Sequence, residues 1–397
     1  MRVTVYFNSS YPYGAASTNR VHQLCKGLHN NGVEVELVIT NATERRPETL
    51  NSQIIGTFEE IKFKYISKTT LRPKGLIQRK AKDLHCYLRT YKHLLFSTRL
   101  SDAIVVIGGA SFDFRVLIPF LGRITRKDVF LEINEYPFVT RKENHWKCFI
   151  LFFFFRIVVP AYKGFIVISE ALELEINKYR NKDSRIIKIP ILSEPSNYAK
   201  SFSLPPDPVP YLLHAGSLIE QKDGILGSLK AFAKARNRLG YEIHYILSGD
   251  LRTSPNGNEI EKIIRDENLI NSVVFTGYLD KNKLADYYSH ASVAVINKSL
   301  NKQNEYGFAT KISEYITYKI PLVLTPVGEV KNYFKDGYNA LFVEPDNVEQ
   351  IADALVCLLN DHMKAGFLAN NAMHLLETEF NTSFNGAKLK TFFENCL

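Results

Sequence analysis

Lys311 and Glu314 stand three residues apart behind a glycine turn at Gly307, in the run Asn304-Glu-Tyr-Gly-Phe-Ala-Thr-Lys-Ile-Ser-Glu-Tyr. The stretch reads as a short helix with Thr310 as its N-cap, followed by a buried strand at Pro321–Thr325. A spacing of three puts Lys311 and Glu314 on one helix face and leaves Ile312, Tyr315 and Ile316 for the opposite, apolar face. The start of a helix offers free backbone N–H groups and positive partial charge, which suit a phosphate. One turn along, a carboxylate can accept hydrogen bonds from the two hydroxyls of a ribose. Together they predict a metal-free site for a nucleoside diphosphate; the alternative is a solvated Lys/Glu pair on an amphipathic helix.

Three more stretches place polar residues where a strand hands over to a loop or helix. Gly216-Ser217-Leu218-Ile219-Glu220-Gln221-Lys222-Asp223-Gly224 lies between a strand and a helix, the position at which ligands bind in doubly wound sheets. Tyr11-Pro12-Tyr13-Gly14-Ala15-Ala16-Ser17-Thr18-Asn19-Arg20 is rich in small residues that let backbone approach a ligand, although every strand-to-helix connection needs such a turn. In Glu132-Ile133-Asn134-Glu135-Tyr136-Pro137, alternation puts Glu132, Asn134 and Tyr136 on one side and Ile133 and Glu135 on the other. Either Glu135 or Glu132 is a candidate for holding or deprotonating an acceptor hydroxyl, and a surface ion pair is the competing role.

Lys311-Ile-Ser-Glu-Tyr-Ile, then Lys319-Ile-Pro-Leu-Val, Thr325-Pro-Val-Gly-Glu and Asp336-Gly-Tyr-Asn-Ala-Leu-Phe-Val, resemble the nucleotide-sugar signature of the glycosyltransferase group 1 family (family 4, GT-B fold, retaining). The resemblance implies that Glu314 holds the donor ribose and that Lys311 lies near the phosphates. The Gly216 loop is similar to the family's Gly-Arg-Leu…Lys-Gly loop, whose basic residues neutralise the departing diphosphate. Lys222 matches the lysine, Ser217 replaces the arginine, and Asp223 is an additional residue before the glycine. Lys222 and Lys311 would then meet the leaving-group charge by themselves.

By the same resemblance the Gly14 loop closes over the donor phosphates, with Arg20 within reach of them. The family's sugar-contacting carboxylate lies eight residues before the ribose glutamate. Counting back from Glu314 reaches Tyr306, so Glu305 fits only if this loop is one residue longer. Phe275-Thr276-Gly277-Tyr278-Leu279 resembles the segment whose backbone reads the nucleotide base, which brings in Thr276 and Tyr278.

Positioning these residues calls for alternating strands and helices. Strands are expected at 3–7, 33–40, 103–107, 129–133 and 164–168, with a helix at 19–30 and another starting after Ser169. A second series has strands near 211–215, 242–247, 273–276, 293–297 and 321–325, separated by helices at 224–237, 259–266 and 283–290. Such units build parallel sheets covered on both faces. Between the series, Ser193–Ser196 and Leu204-Pro-Pro-Asp-Pro-Val-Pro210 exclude helix and mark a boundary. The fold class expected is α/β: two tandem Rossmann-like domains, 1–198 and 209–378, which by the resemblance to GT-B proteins face a cleft and take the acceptor and the donor respectively. The resemblance to the GT-B fold further implies that a C-terminal segment, 379–397, carries a helix near 384–393 back onto the first domain.

Hydrophobic residues at 45% and charged residues at 23% suit a globular chain, and 397 residues suffice for two cores. Cys25, Cys86, Cys148, Cys357 and Cys396 show no paired metal spacing and fit a reducing cytoplasm. Met1–Phe7 reads as a strand with no charged-then-apolar leader ahead of it, so no secretory signal is expected. The apolar run Cys148–Val159 is shorter than the roughly twenty residues a membrane-spanning helix needs.

The net charge of +9 gathers in Lys62, Lys64, Lys68, Arg72, Lys74, Arg79, Lys80 and Lys82, with Arg141, Lys142 and Lys147 around Trp146. This surface suits anionic lipid, or is a solvated basic face over a buried helix. Nucleic acid is not an expected partner, because no recognition motif accompanies the charge. The absence of Asp-x-Asp argues against a metal-held diphosphate, so no metal or other cofactor is expected. Neither a dinucleotide glycine fingerprint nor a P-loop occurs.

What the family resemblance implies is a hexosyltransferase that works with retention and takes a nucleotide sugar to a lipid-linked or polysaccharide acceptor. A cytoplasmic protein is expected, with peripheral association at the inner face of the membrane suggested by the basic, aromatic first half. A GT-B sugar-nucleotide epimerase and an inactive GT-B partner protein are the alternatives.

Overall fold

Long apolar runs form the central, parallel strands of two units, each with its own core. The computed structural model describes residues 1–14, 16–45, 49–98, 100–108, 114–136, 145–194 and 209–397. The chain divides into two units, Met1–Leu192 together with Asn381–Leu397, and Ser193–Phe380. The expected boundaries stand at 198, 209 and 378, and residues 195–208 of the proline-rich connection lie outside the described residues.

The first unit runs β1 (Arg2–Phe7), α1 (Ala16–Asn30), β2 (Glu34–Ile39), β3 (Ile55–Phe58), β4 (Ile61–Tyr65), α2 (Leu76–Phe96), β5 (Ala103–Ile107), α3 (Phe114–Ile124), β6 (Asp128–Ile133), α4 (His145–Phe153), β7 (Gly164–Val167), α5 (Glu170–Asn177) and β8 (Arg185–Lys188). Its eight strands lie in the order β3-β4-β2-β1-β5-β6-β7-β8, all parallel except β3. Every residue of β5 and all but the first of β1 are buried, as strands covered on both faces must be. Ser169 caps α5 as expected, accepting from Leu172 N at 3.2 Å.

The phenylalanine run forms α4 and a π-helical turn over Phe154–Val158, where Phe154, Phe155 and Val158 are buried. No helix among the described residues is long and apolar enough to cross a membrane. Arg141 and Lys142 lie outside the described residues.

The second unit runs β9 (Tyr211–Ala215), α6 (Glu220–Asp223), α7 (Ile225–Arg238), β10 (His244–Ser248), α8 (Gly257–Asp266), β11 (Val273–Phe275), α9 (Lys281–His290), β12 (Ala294–Ile296), α10 (Lys302–Tyr306), α11 (Lys311–Thr317), β13 (Leu322–Leu324), α12 (Val330–Tyr333), β14 (Leu341–Phe342), α13 (Val348–Asn360) and α14 (His362–Glu377). Two parallel three-stranded sheets, β11-β10-β9 and β12-β13-β14, join where Leu212 pairs with Val293 and Leu213 N donates to Val293 O at 3.1 Å. Leu229 and Phe232 of α7 and Ile351 and Leu355 of α13 pack on this sheet.

The last helix, α15 (Thr382–Glu394), belongs to the first unit. It lies against α1 and places Leu389, Phe392 and Phe393 in the first core, with the Phe393 ring 4.8 Å from that of Phe130.

Candidate active site

The apolar face of α11 fixes where its polar face lies. Ile312, Tyr315 and Ile316 are fully buried. The Tyr315 phenol oxygen accepts from Ala215 N at 3.1 Å and donates to Leu213 O at 3.4 Å. That pair of bonds ties α11 to the carboxyl end of β9, and so brings Lys311 to the loop that follows β9. Thr310 occupies the N-cap position but in helical conformation, φ −59° and ψ −29°, without a capping bond from its side chain. The expected threonine cap is therefore corrected.

Lys311 meets the Gly216 loop through a carboxylate. Its Nζ lies 2.8 Å from Asp223 Oδ1, and Ser217 Oγ donates to Asp223 Oδ2 at 2.8 Å. Gly216 has φ +130°, and a Cβ there would sit 3.2 Å from Lys311 Nζ, so the loop backbone runs directly beside the ammonium. His214 Nε2 donates to Ser217 O at 3.1 Å and stands 4.0 Å from Asp223 Oδ2.

Burial raises the Asp223 pKa, but Lys311 and His214 outweigh it and hold the carboxyl at about 2. Burial, and then Lys311, press His214 down to about 4, so it is neutral at pH 7. The sequence pointed to Ser217 and Lys311 but missed Asp223 and His214. Only the position of Asp223 between Lys222 and Gly224 hinted at it, and His214 is hidden inside an apolar strand.

Lys222 is half-buried in α6, and Glu305 is exposed on α10. Their segments are tied together, because Asn304 Nδ2 and Asn301 Nδ2 both donate to Gln221 O, at 2.9 and 3.0 Å. The helix start that follows the Gly216 loop is already occupied. Glu220 Oε2 accepts from Leu226 N at 2.6 Å, at the first turn of α7. A diphosphate at that helix start would meet a carboxylate.

Glu314 Oε2 accepts from the phenol of Tyr288 at 2.5 Å. Burial, then Glu314, push the Tyr288 phenol well above its ordinary pKa, so it donates throughout the neutral range. Tyr288 in turn stacks on Tyr318, with ring centroids 5.2 Å apart. Thr276 and Tyr278 flank Gly277, which has φ +68°. Thr276 Oγ1 donates to Gly277 O at 3.2 Å, and Tyr278 is 73% exposed.

In the first unit, Arg20 is buried rather than turned to a ligand. Its Nε lies 2.5 Å from Glu132 Oε1, Nη1 donates to Pro190 O at 2.7 Å and Nη2 to Ile189 O at 3.0 Å. With all three nitrogens engaged in the scaffold, the expected reach of Arg20 to phosphates is not what the structure places there. Glu132, fully buried, is paired by the same contact, and burial outweighs Arg20 in raising its pKa. Glu135 stands exposed beyond β6, and Pro137 lies outside the described residues. A Cβ at Gly14 would clash with Thr18 Oγ1, and that hydroxyl donates to Ser10 O at 2.7 Å. The loop thus needs a glycine for its own closure; its neighbour Ala15 is outside the described residues.

Residues 209–361 match the family model described as Glycosyl transferases group 1. This chain is 27% identical to alpha-D-kanosaminyltransferase of Streptomyces kanamyceticus over 183 residues, 46% of this chain and 45% of that one. The matched part spans about half the length of the curated relatives. Sucrose-phosphate synthase from Thermosynechococcus elongatus superposes with a TM-score of 0.71 at 15% identity, covering 99% of this chain and 98% of that one. Anabaena HepE in complex with UDP and glucose gives 0.70 at 14%, covering 100% of both. At such identities the likeness is one of fold. The fold is that of the GT-B glycosyltransferases. Within it, the part of the chain similar to the group 1 glycosyltransferase model lies inside the second unit.

Proposed function

We infer that this protein is a glycosyltransferase that moves a hexose, with retention, from a nucleoside-diphosphate sugar to an acceptor hydroxyl without a metal. The observation that carries the reading is the meeting of Lys311, Ser217 and Asp223 beside the backbone of Gly216, inside the segment matched by the family model. In the proposal the C1–oxygen bond to the diphosphate breaks, and Lys222 and Lys311 stabilise the charge left on it. Glu314, oriented by Tyr288, takes the ribose hydroxyls. Thr276 and Tyr278 border the base, Glu305 faces the sugar, and Glu135 or Glu305 receives the acceptor proton. The complex of HepE with UDP and glucose supports a nucleotide-sugar donor on this fold. A lipid-linked or polysaccharide acceptor at an anionic, inner membrane surface completes the proposal, motivated by the basic first half of the chain.

A second reading, an inactive partner protein, draws on the same cluster. Asp223 neutralises Lys311, and Ser217 supplies no charge. Incubation of the protein with a panel of nucleotide sugars and a lipid-linked acceptor separates the readings. Release of nucleoside diphosphate only when acceptor is present supports transfer. Donor isomerised without release would mean an epimerase, and no turnover of any donor would favour the partner role.

A further inference from the structure

The long helix α2 is apolar on two opposite faces, and the first unit covers one of them. Cys86, Thr90 and Leu94 point inward and are buried. On the other side Ile77, Leu84 and Leu88, at i, i+7 and i+11, form one stripe that is 85%, 60% and 58% exposed. At 1.5 Å per residue this stripe is about 16 Å long.

The charges on the helix are sorted by the same geometry. Arg79 Nε turns to Pro73 O at 2.8 Å, Lys82 Nζ to Ser67 O at 3.0 Å, and Arg89 Nη1 to Ile66 O and Ser67 O at 3.4 Å. Lys80 and Lys92 instead are exposed on either side of the stripe and make no ion pair among the described residues. Asp83 is the sole acidic residue of α2, against five lysines and arginines.

We propose that this face of α2 docks the protein on a bilayer rich in anionic lipid. Ile77, Leu84 and Leu88 enter the acyl boundary, while Lys80 and Lys92 lie among the headgroups. Charge and size select this occupant. A second copy would oppose two basic helices. A single helix face about 16 Å long and about 10 Å wide also falls well short of the roughly 800 Å² per partner that a stable protein interface uses. The proposal rests on the membrane-acceptor reading for its purpose, but it concerns a helix of the first unit, apart from the donor residues of the second.

The test is sedimentation of the full chain with vesicles of phosphatidylcholine alone or with about one third phosphatidylglycerol, at low and high salt. The wild type should bind the anionic vesicles alone, and less at high salt. Ile77→Gln/Leu84→Gln/Leu88→Gln keeps good helix formers at exposed positions and should lose at least tenfold in vesicle affinity with an unchanged circular dichroism melt. Lys80→Gln/Lys92→Gln should lose severalfold, along with most of the salt dependence. A triple variant that binds like wild type, or a wild type that leaves anionic vesicles unbound, overturns the proposal. So does light scattering that finds a dimer abolished by the triple variant, because the face would then belong to a second copy. Nucleotide thermal shifts on the same variant keep the two readings apart. Donor binding retained while vesicle binding is lost supports docking. A wild type that binds vesicles but no nucleotide counts against the transferase reading alone.

Discussion

The Gly14 connection of the first unit and the Gly216 connection of the second share a design: parallel strand, glycine turn, helix, and one cation close by. They use the cation differently. Arg20 is buried, paired with Glu132 and bonded to two carbonyls, so its charge serves the scaffold. Lys311 is partly exposed beside Gly216 and is held by a carboxylate that a hydroxyl also contacts. A cation close to such a glycine turn is therefore available to a ligand only when the fold leaves it a way out. Burial and partners decide that, not position in the motif.

The largest effect should come from breaking the first arrangement. Arg20→Met leaves Glu132 buried and unpaired and should cost about 3–5 kcal/mol in urea unfolding. Arg20→Met/Glu132→Leu should recover part of this; equal losses in both variants would show that the carbonyl bonds matter more than the ion pair.

Next comes the pH dependence of the second arrangement. Folded His214 titrates at about 4 against 6.5 in the unfolded chain. Between those values the unfolded chain binds more protons, so stability rises with pH. This contribution, roughly 3 kcal/mol, is complete above about 6.5 and lost as pH falls toward 4. His93 in the first unit, also pressed to about 4 by burial and then Lys64, acts in the same direction. Unfolding free energies from pH 7 to pH 4 for His214→Gln and His93→Gln should each show a shallower slope than wild type, and an unaltered slope would remove that histidine from the account.

Ligand binding should respond with opposite signs to the two halves of the ion pair. Lys311→Ala should weaken nucleoside diphosphate binding about 10- to 100-fold, the range of one lost charge-assisted hydrogen bond. Asp223→Asn keeps a partner for Ser217 and removes a negative charge 2.8 Å from Lys311, so calorimetry should read severalfold tighter binding. If Asp223→Asn weakens binding as Lys311→Ala does, the carboxylate is needed to hold the lysine, and the comparison with Arg20 must be redrawn.

Much of this architecture was legible. β5 and β9 match their expected spans because central parallel strands are uninterrupted apolar runs with glycine soon after. The antiparallel pair β3–β4 and the helix α2 were hidden because lysines crowd the segment and mask its periodicity. α10 is five residues long in a polar stretch and gives no periodic signal. Of the candidate site, the glycines, Lys311 and Glu314 could be read from the local sequence. Its wiring could not. Arg20 and Glu132 are 112 residues apart, Asp223 and Lys311 88, and Tyr288 and Glu314 26, and such pairings exist only once the sheets have formed.

The central claim is that Lys311 and Glu314 border a metal-free nucleotide site. Its most direct test is a thermal-shift panel of UDP, GDP, ADP and CMP in the presence of a chelator, on wild type and Glu314→Ala. The account predicts that one nucleoside diphosphate raises the melting temperature of the wild type and that Glu314→Ala abolishes the shift, because selective binding stabilises the folded state. A wild type unmoved by every nucleotide, or a shift of equal size in the variant, would contradict it.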